Sequence, residues 1–269
     1  MIDRTSSVVA DGVTLAVHRA GRGTPVVCLT ALLHDAHDFD AFVERAADRY
    51  EIVCIEWPGH GDSMDDENPP SSLRYGELLV KALDQLQIRN PIVIGNSIGG
   101  GAAICYASQR PVCGLVLCDS SGLVEITPAV QRFCRLFERL FAAAERRAFW
   151  FKPVFWMYYR MVLTEPAAAA QRQRIVERAP TRATLLRRAW HGFGQPSANL
   201  IDLAVSLDAP MWVAWARSDR TIPLKYCLPA IRRLKKATLT QFEGGHTPFL
   251  EQPDAFAEAF LNFAAQLPA

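Results

Sequence analysis

The stretch Pro91-Ile92-Val93-Ile94-Gly95-Asn96-Ser97-Ile98-Gly99-Gly100-Gly101 decides how the rest of the chain is read. A β-branched run ends at a glycine, and an alanine-rich helical stretch at 102–107 follows the later glycines. This is Gly-x-Ser-x-Gly between a strand and a helix, the arrangement that lifts a serine clear of the carboxyl edge of a sheet. Side chains at 95 and 99 would meet neighbouring backbone in so sharp a turn, so glycine fits both. The same geometry predicts strained dihedrals and an exposed hydroxyl for Ser97. The amide of Ile98, at the helix start, would face whatever the serine faces. An ordinary serine in a glycine-rich turn is the plainer reading of five residues alone. Partners further along the chain, in the right order, weigh against it.

Working outward, the segments before the turn read as strands and helices in alternation. Residues 7–10 and 13–20 are two strands joined at Asp11-Gly12, a hairpin signal. Residues 25–29 are apolar throughout, as a buried strand is. A loop over 30–38 leads to a helix at 41–47, then a strand at 52–55 and the turn-rich Trp57-Pro58-Gly59-His60-Gly61-Asp62-Ser63. Residues 71–88 form a helix by periodicity, with Tyr75, Leu78, Leu79, Ala82, Leu83 and Leu86 on one stripe. After the turn come a strand at 114–118, a helical stretch without strong strands to about 205, a strand at 210–216, a helix at 224–234 and a last strand at 237–242. Phe256, Phe260 and Phe263 mark a closing helix. The pattern predicts a mostly parallel, doubly wound sheet after an antiparallel start. Residues 122–205 read as a helical cap over the carboxyl ends of the strands, where open α/β sheets bind ligands.

Composition narrows the function classes. The 269 residues are half hydrophobic and carry a net charge of +1, which gives no global case for nucleic-acid binding. The N-terminus Met1-Ile2-Asp3-Arg4-Thr5-Ser6-Ser7 lacks the basic and apolar regions of a signal peptide. The most apolar run, 148–163, is broken by Lys152, Pro153 and Arg160 and is too short to span a bilayer. Seven cysteines, an odd number with no Cys-x-x-Cys, sit mainly in apolar segments. They read as buried free thiols in a reducing compartment, so the expected location is cytoplasmic.

A serine hydroxyl needs a base. Among six histidines, His246 follows the last strand in Glu243-Gly244-Gly245-His246-Thr247-Pro248-Phe249, on the loop edge that faces the turn. The base in turn needs an acid to fix its tautomer and stabilise the imidazolium. Asp219, just past the strand at 210–216, is favoured by the chain order Ser…Asp…His; Asp119, past an earlier strand, is its competitor. His34-Asp35-Ala36-His37-Asp38 alternates possible metal ligands, but polar loop residues beside a site mouth explain it more simply, and no metal or other cofactor is expected.

Together, Gly95-Asn96-Ser97-Ile98-Gly99, Trp57-Pro58-Gly59-His60-Gly61-Asp62-Ser63, Ser218-Asp219-Arg220-Thr221-Ile222-Pro223 and Gly245-His246-Thr247-Pro248-Phe249-Leu250-Glu251 make the sequence resemble an α/β-hydrolase with a helical cap over nearly its whole length. The resemblance implies an α/β-hydrolase fold with a mostly parallel eight-stranded sheet and helices on both faces. It implies a core of residues 1–121 and 206–269 with a cap at 122–205. It also implies that Ser97 is nucleophile, His246 base and Asp219 the orienting acid. Members usually carry His-Gly or Pro-Gly after the third strand. Here Thr30-Ala31 stands there, and the first oxyanion donor is then the amide of Leu32, acting with that of Ile98. Losing one such donor costs roughly 10²–10³ in rate.

The expected substrate is a small hydrophobic ester or lactone. Aromatic residues crowd 149–159, and Trp150, Phe155 and Trp156, with Asn96 beside the serine, are the candidate substrate contacts. Residues 122–205 hold twelve Arg and one Lys against five Glu and one Asp, so a basic lid also suits an anionic carbonyl substrate or an anionic membrane surface. Gly-Asn-Ser followed by Gly99-Gly100-Gly101 resembles hydrolases that cleave a carbon–carbon bond in ring-cleavage products. Those carry Trp after the histidine, where this chain has Thr247. A cofactor-free perhydrolase uses the same three residues. A non-catalytic ligand receptor on the same scaffold is the rival from another class, supported by the altered Thr30-Ala31 loop.

Overall fold

The computed structural model describes residues 4–268; Met1-Ile2-Asp3 of the N-terminal stretch and Ala269 lie outside the described residues. Eight strands form one sheet: β1 (Arg4–Ala10), β2 (Val13–Gly21), β3 (Thr24–Leu29), β4 (Tyr50–Ile55), β5 (Ile92–Asn96), β6 (Gly114–Cys118), β7 (Met211–Ala216) and β8 (Ala237–Phe242). Their order is β1-β2-β4-β3-β5-β6-β7-β8. β1 and β2 pair antiparallel, β2 meets β4 antiparallel, and every later pair is parallel. The hairpin turns at Asp11-Gly12, both at positive φ. β5 and β6 are buried along their whole length, which is why they read as unbroken apolar runs.

The helices are α1 (Asp40–Ala46), α2 (Ser72–Gln85), α3 (Ile98–Ala107), α4 (Pro128–Glu145), α5 (Phe151–Val162), α6 (Ala169–Arg178), α7 (Ala183–Phe193), α8 (Ile201–Ser206), α9 (Leu224–Ile231), α10 (Pro248–Glu251) and α11 (Pro253–Ala264). α2 begins where Ser71 accepts the backbone N–H of Arg74, a helix N-cap. It ends three residues earlier than periodicity alone suggests, because Gln87 and Asn90 take positive φ. α2, α3, α8 and α9 cover one sheet face, while α1 and α11 cover the other, where Phe42 meets Phe256 and Phe260 edge to face. α4 to α7 sit between β6 and β7 in sequence and enclose a third apolar cluster of their own around Phe137, Phe141, Phe155 and Ile175. Six of the seven free thiols are buried and Cys113 is half-buried; burial pushes the Cys28 and Cys118 thiols well up, leaving them poor nucleophiles. No helix of the described residues is long and apolar enough to cross a membrane.

His60, in the loop after β4, donates through Nδ1 to the Pro58 carbonyl, and its buried Nε2 has no hydrogen-bond partner among the described residues. Burial pushes its pKa down from 6.5 to about 4. The unfolded chain therefore binds this proton first, and the stability that neutral His60 supports is lost as pH falls from about 6.5 towards 4. Urea unfolding at pH 7 and pH 5 should show the wild type losing about 2 kcal/mol more than His60→Asn. Equal losses would remove His60 from the acid sensitivity.

Candidate active site

Ser97 stands between β5 and α3 with φ 54° and ψ −119°, a strained conformation for a residue with a Cβ. Its backbone is held on both sides: its N–H donates to Cys118 O at 3.0 Å, and its carbonyl accepts from Ser121 N at 2.9 Å and Gly100 N at 3.0 Å. A Cβ on Gly95 would lie 2.4 Å from the Gly99 carbonyl oxygen, and one on Gly99 would lie 2.7 Å from that of Leu29. Close approach of backbone, rather than positive φ, is what requires these two glycines. The Ser97 residue stays partly exposed although both its neighbours are buried.

The loops after β7 and β8 meet beside this turn. His246 Nδ1 lies 2.9 Å from Asp219 Oδ2, and both side chains are almost fully buried. The other oxygen of Asp219 accepts from the N–H groups of Thr221 (2.7 Å) and Ile222 (3.0 Å), which aims the carboxylate. With Asp219 accepting, Nδ1 carries the imidazole proton and Nε2 keeps its lone pair. Asp119 does not reach His246 Nδ1. It lies close by, with Oδ1 accepting from Ala216 N at 2.9 Å. Burial first, then the charge of Asp219, push its carboxyl well above the usual carboxylate range. Two adjacent buried carboxyls cannot both ionise cheaply, and Asp119 is the one held neutral.

The His246 loop is fixed by two residues that sequence reasoning did not single out in these roles. Glu251, at the end of α10, turns one carboxylate oxygen back onto the N–H groups of Gly245 (2.9 Å), His246 (2.9 Å) and Thr247 (3.1 Å). Its other oxygen accepts from Thr164 N (2.7 Å) and Glu165 N (3.2 Å), beyond the end of α5. A Cβ at Gly245 would lie 2.2 Å from the Val162 carbonyl, so backbone meets backbone here too. Asn96 is the second. It is fully buried, and its amide donates to the carbonyls of His246 (2.9 Å) and Cys118 (3.1 Å). That corrects the expectation for Asn96: its donors are spent on backbone, so it clamps the base loop beside Ser97 and is not a substrate contact.

The aromatic candidates are corrected as well. Phe155 is buried among Phe141, Phe151, Tyr158 and Tyr159. Trp150 and Trp156 are half-exposed, Trp156 lying beneath the Arg160 guanidinium. Helical spacing sends Phe151, Phe155 and Tyr159 inward and Trp156 outward. Two tyrosines of α5 reach the strand-end loops through their hydroxyls: Tyr158 OH lies 3.0 Å from Thr221 Oγ1, and Tyr159 OH lies 3.2 Å from His34 Nε2.

His34-Asp35-Ala36-His37-Asp38 does not converge on one point. His34 pairs with Asp38 in the interior, His37 pairs with Asp40 at the surface, and Asp35 binds Arg178 at 2.6 Å and Gln171 at 3.3 Å. The loop is where α5 and α6 land on the sheet domain. Elsewhere, His18, Glu56 and Asp62 cluster closely, with Glu56 already accepting the N–H groups of Ala36 (3.1 Å) and Asp62 (2.7 Å). Neither Leu32 N–H nor Ile98 N–H donates to an acceptor among the described residues.

A sheet of this order with a strained serine after β5 and a His–Asp pair on the last two strand ends has a family. A model of the alpha/beta hydrolase family matches residues 17–259. The chain belongs to that family. Two curated relatives of this hydrolase span nearly its whole length. A 2-hydroxy-6-oxononadienedioate/2-hydroxy-6-oxononatrienedioate hydrolase from Pseudomonas sp. is 24% identical over 94% of this chain and 92% of that protein. A pimeloyl-[acyl-carrier protein] methyl ester esterase from Xanthomonas campestris pv. campestris is 28% identical over 92% of this chain and 98% of its own. Among solved structures, an esterase from Exiguobacterium antarcticum superposes on the hydrolase with a TM-score of 0.83 at 17% identity, covering 98% of this chain and all of that one.

Proposed function

We propose that this hydrolase is a serine esterase, with Ser97 as nucleophile, His246 as base and Asp219 as its orienting acid. The observation that carries the reading is the His246 Nδ1–Asp219 Oδ2 contact of 2.9 Å, which leaves Nε2 free as acceptor on the loop that Asn96 ties to the serine turn. Nε2 takes the hydroxyl proton as Ser97 Oγ bonds to the substrate carbonyl carbon. The carbonyl oxygen becomes an oxyanion, held by the free N–H groups of Ile98 and Leu32. Collapse of that intermediate expels the alcohol, which receives the proton from Nε2, and leaves an acyl-serine. Water, deprotonated by His246, then attacks the acyl carbon and releases the acid. Asp219 stabilises the imidazolium, while neutral Asp119 adds no second charge beside it. Residues 122–205 act as the cap, and the substrate is a hydrophobic ester or lactone.

The Pseudomonas relative favours a second reading, hydrolysis of a carbon–carbon bond in a ring-cleavage diketone. Against it, the residue after the base is Thr247, buried, with Oγ1 near Asn96 Oδ1 at 3.4 Å. The test is intact-mass analysis after exposure to a fluorophosphonate, on wild type, Ser97→Ala and His246→Ala. One adduct on wild type and none on either variant is expected. A folded wild type that takes no adduct would overturn the reading in favour of a ligand receptor. Rates on p-nitrophenyl esters and on ring-cleavage diketones then separate the two enzyme readings.

A further inference from the structure

The outer side of α5 and the turn before it are built unlike the rest of the surface. Eight of the thirteen exposed large hydrophobic side chains among the described residues fall between Phe133 and Met161. α5 is apolar on both sides. It buries Phe151, Phe155, Tyr159 and Val162, and presents Val154, Trp156, Met157 and Met161 to solvent. A helix that is hydrophobic all round ordinarily has something on each side of it. Phe149, in the turn, is 92% exposed.

The same segment also holds unpaired positive charge. Further along the insertion, Arg178 binds Asp35, Arg182 binds Asp65 and Arg187 binds Glu145. Arg132, Arg135, Arg139, Arg146, Arg147 and Lys152 are exposed and form no ion pair among the described residues. Between residues 146 and 164 there are four cations and no carboxylate. Bare Trp, Phe and Met side chains interleaved with spare Arg and Lys are the chemistry of a headgroup–acyl boundary, where rings enter the lipid and cations meet phosphates. A second copy of the chain suits this face poorly. A two-fold interface sets a patch against itself, and would bring these cations together.

We infer that the α4–α5 turn and the outer side of α5 dock the protein on an anionic lipid surface. The inner side of the same helix touches Thr221 and His34 through Tyr158 and Tyr159, so the docked face and the candidate site share one helix. Docking needs no turnover, and its failure would leave the hydrolase reading untouched.

The experiment is co-sedimentation of the full chain with vesicles of phosphatidylcholine alone and with vesicles one-third phosphatidylglycerol, at low and high salt. Binding to the anionic vesicles, weakened by salt, is expected. Phe149→Ser/Met157→Ser should lower that partition by about tenfold or more, and Arg146→Gln/Arg147→Gln/Lys152→Gln should remove the preference for anionic lipid. Both variants alter exposed side chains and should keep the wild-type circular dichroism and melting temperature. Wild type that stays in the supernatant with both vesicles would overturn the proposal. So would sedimentation equilibrium that finds a dimer which the Phe149→Ser/Met157→Ser change converts to monomer.

Discussion

Ser97→Ala is expected to lower kcat for ester hydrolysis by about 10⁴- to 10⁶-fold. The change removes the one oxygen that bonds to the substrate carbon. The free N–H groups of Leu32 and Ile98 remain, as does the His246–Asp219 pair, so a small residual rate through water should persist. The loss must come from chemistry and not from unfolding, and the backbone provides the control. Alanine keeps a Cβ at φ 54°, so Ser97→Ala should be about as stable as wild type. Ser97→Gly should be equally inactive, yet more stable by about 1 kcal/mol, because glycine accepts that conformation without strain. Steady-state kinetics and urea unfolding of the two variants check both halves. A Ser97→Ala enzyme within tenfold of wild type would transfer the nucleophile's role elsewhere.

Glu251→Ala is expected to cost about 3–5 kcal/mol of unfolding free energy and to lower the melting temperature by roughly 6–20 °C. One buried carboxylate receives three successive N–H groups of the His246 loop and two more from Thr164 and Glu165. Alanine leaves all five donors without an acceptor and frees the loop that carries the base, so kcat should fall even well below the melting temperature. Glu251→Gln retains one acceptor oxygen and should fall between the two. Calorimetry beside kinetics reads both effects, and a Glu251→Ala protein as stable as wild type would show that water takes over the carboxylate's part.

Features written in short-range pattern were legible before the fold was known. The β-branched run and flanking glycines located the serine turn, and strand–helix alternation gave the sheet that the family match bears out. The turn geometry also places the helix start at Ile98, and α3 begins there although Gly99-Gly100-Gly101 are poor helix formers by propensity. Close approach of the Leu29 and Thr30 carbonyls to Gly99, of Ser120 to Gly100 and of Ser72 and Ser121 to Gly101 requires these glycines, and tertiary contact overrides propensity. The clamping roles of Asn96 and Glu251 are not legible locally. Asn96 binds a carbonyl 150 positions away, and Glu251 joins the nearby N–H groups of Gly245, His246 and Thr247 to one 87 positions away, a link that only the fold makes. Trp150, Phe155 and Trp156 were grouped by their chemistry, while the helical period that separates packing rings from bare ones went unused.

The sheet order has a consequence for the chain as it is made. β6 ends at Cys118 and its neighbour β7 begins at Met211. At ribosomal speed the strand waits roughly 5–20 s for the partner that covers its edge. Through that interval a newly made chain offers Gly114–Cys118, apolar throughout, as a free pairing edge. His246, the proposed base, emerges later still and joins the serine only after the edge has closed. Nascent chains are inert until their sheet is sealed, and their hazard before that is aggregation rather than stray hydrolysis.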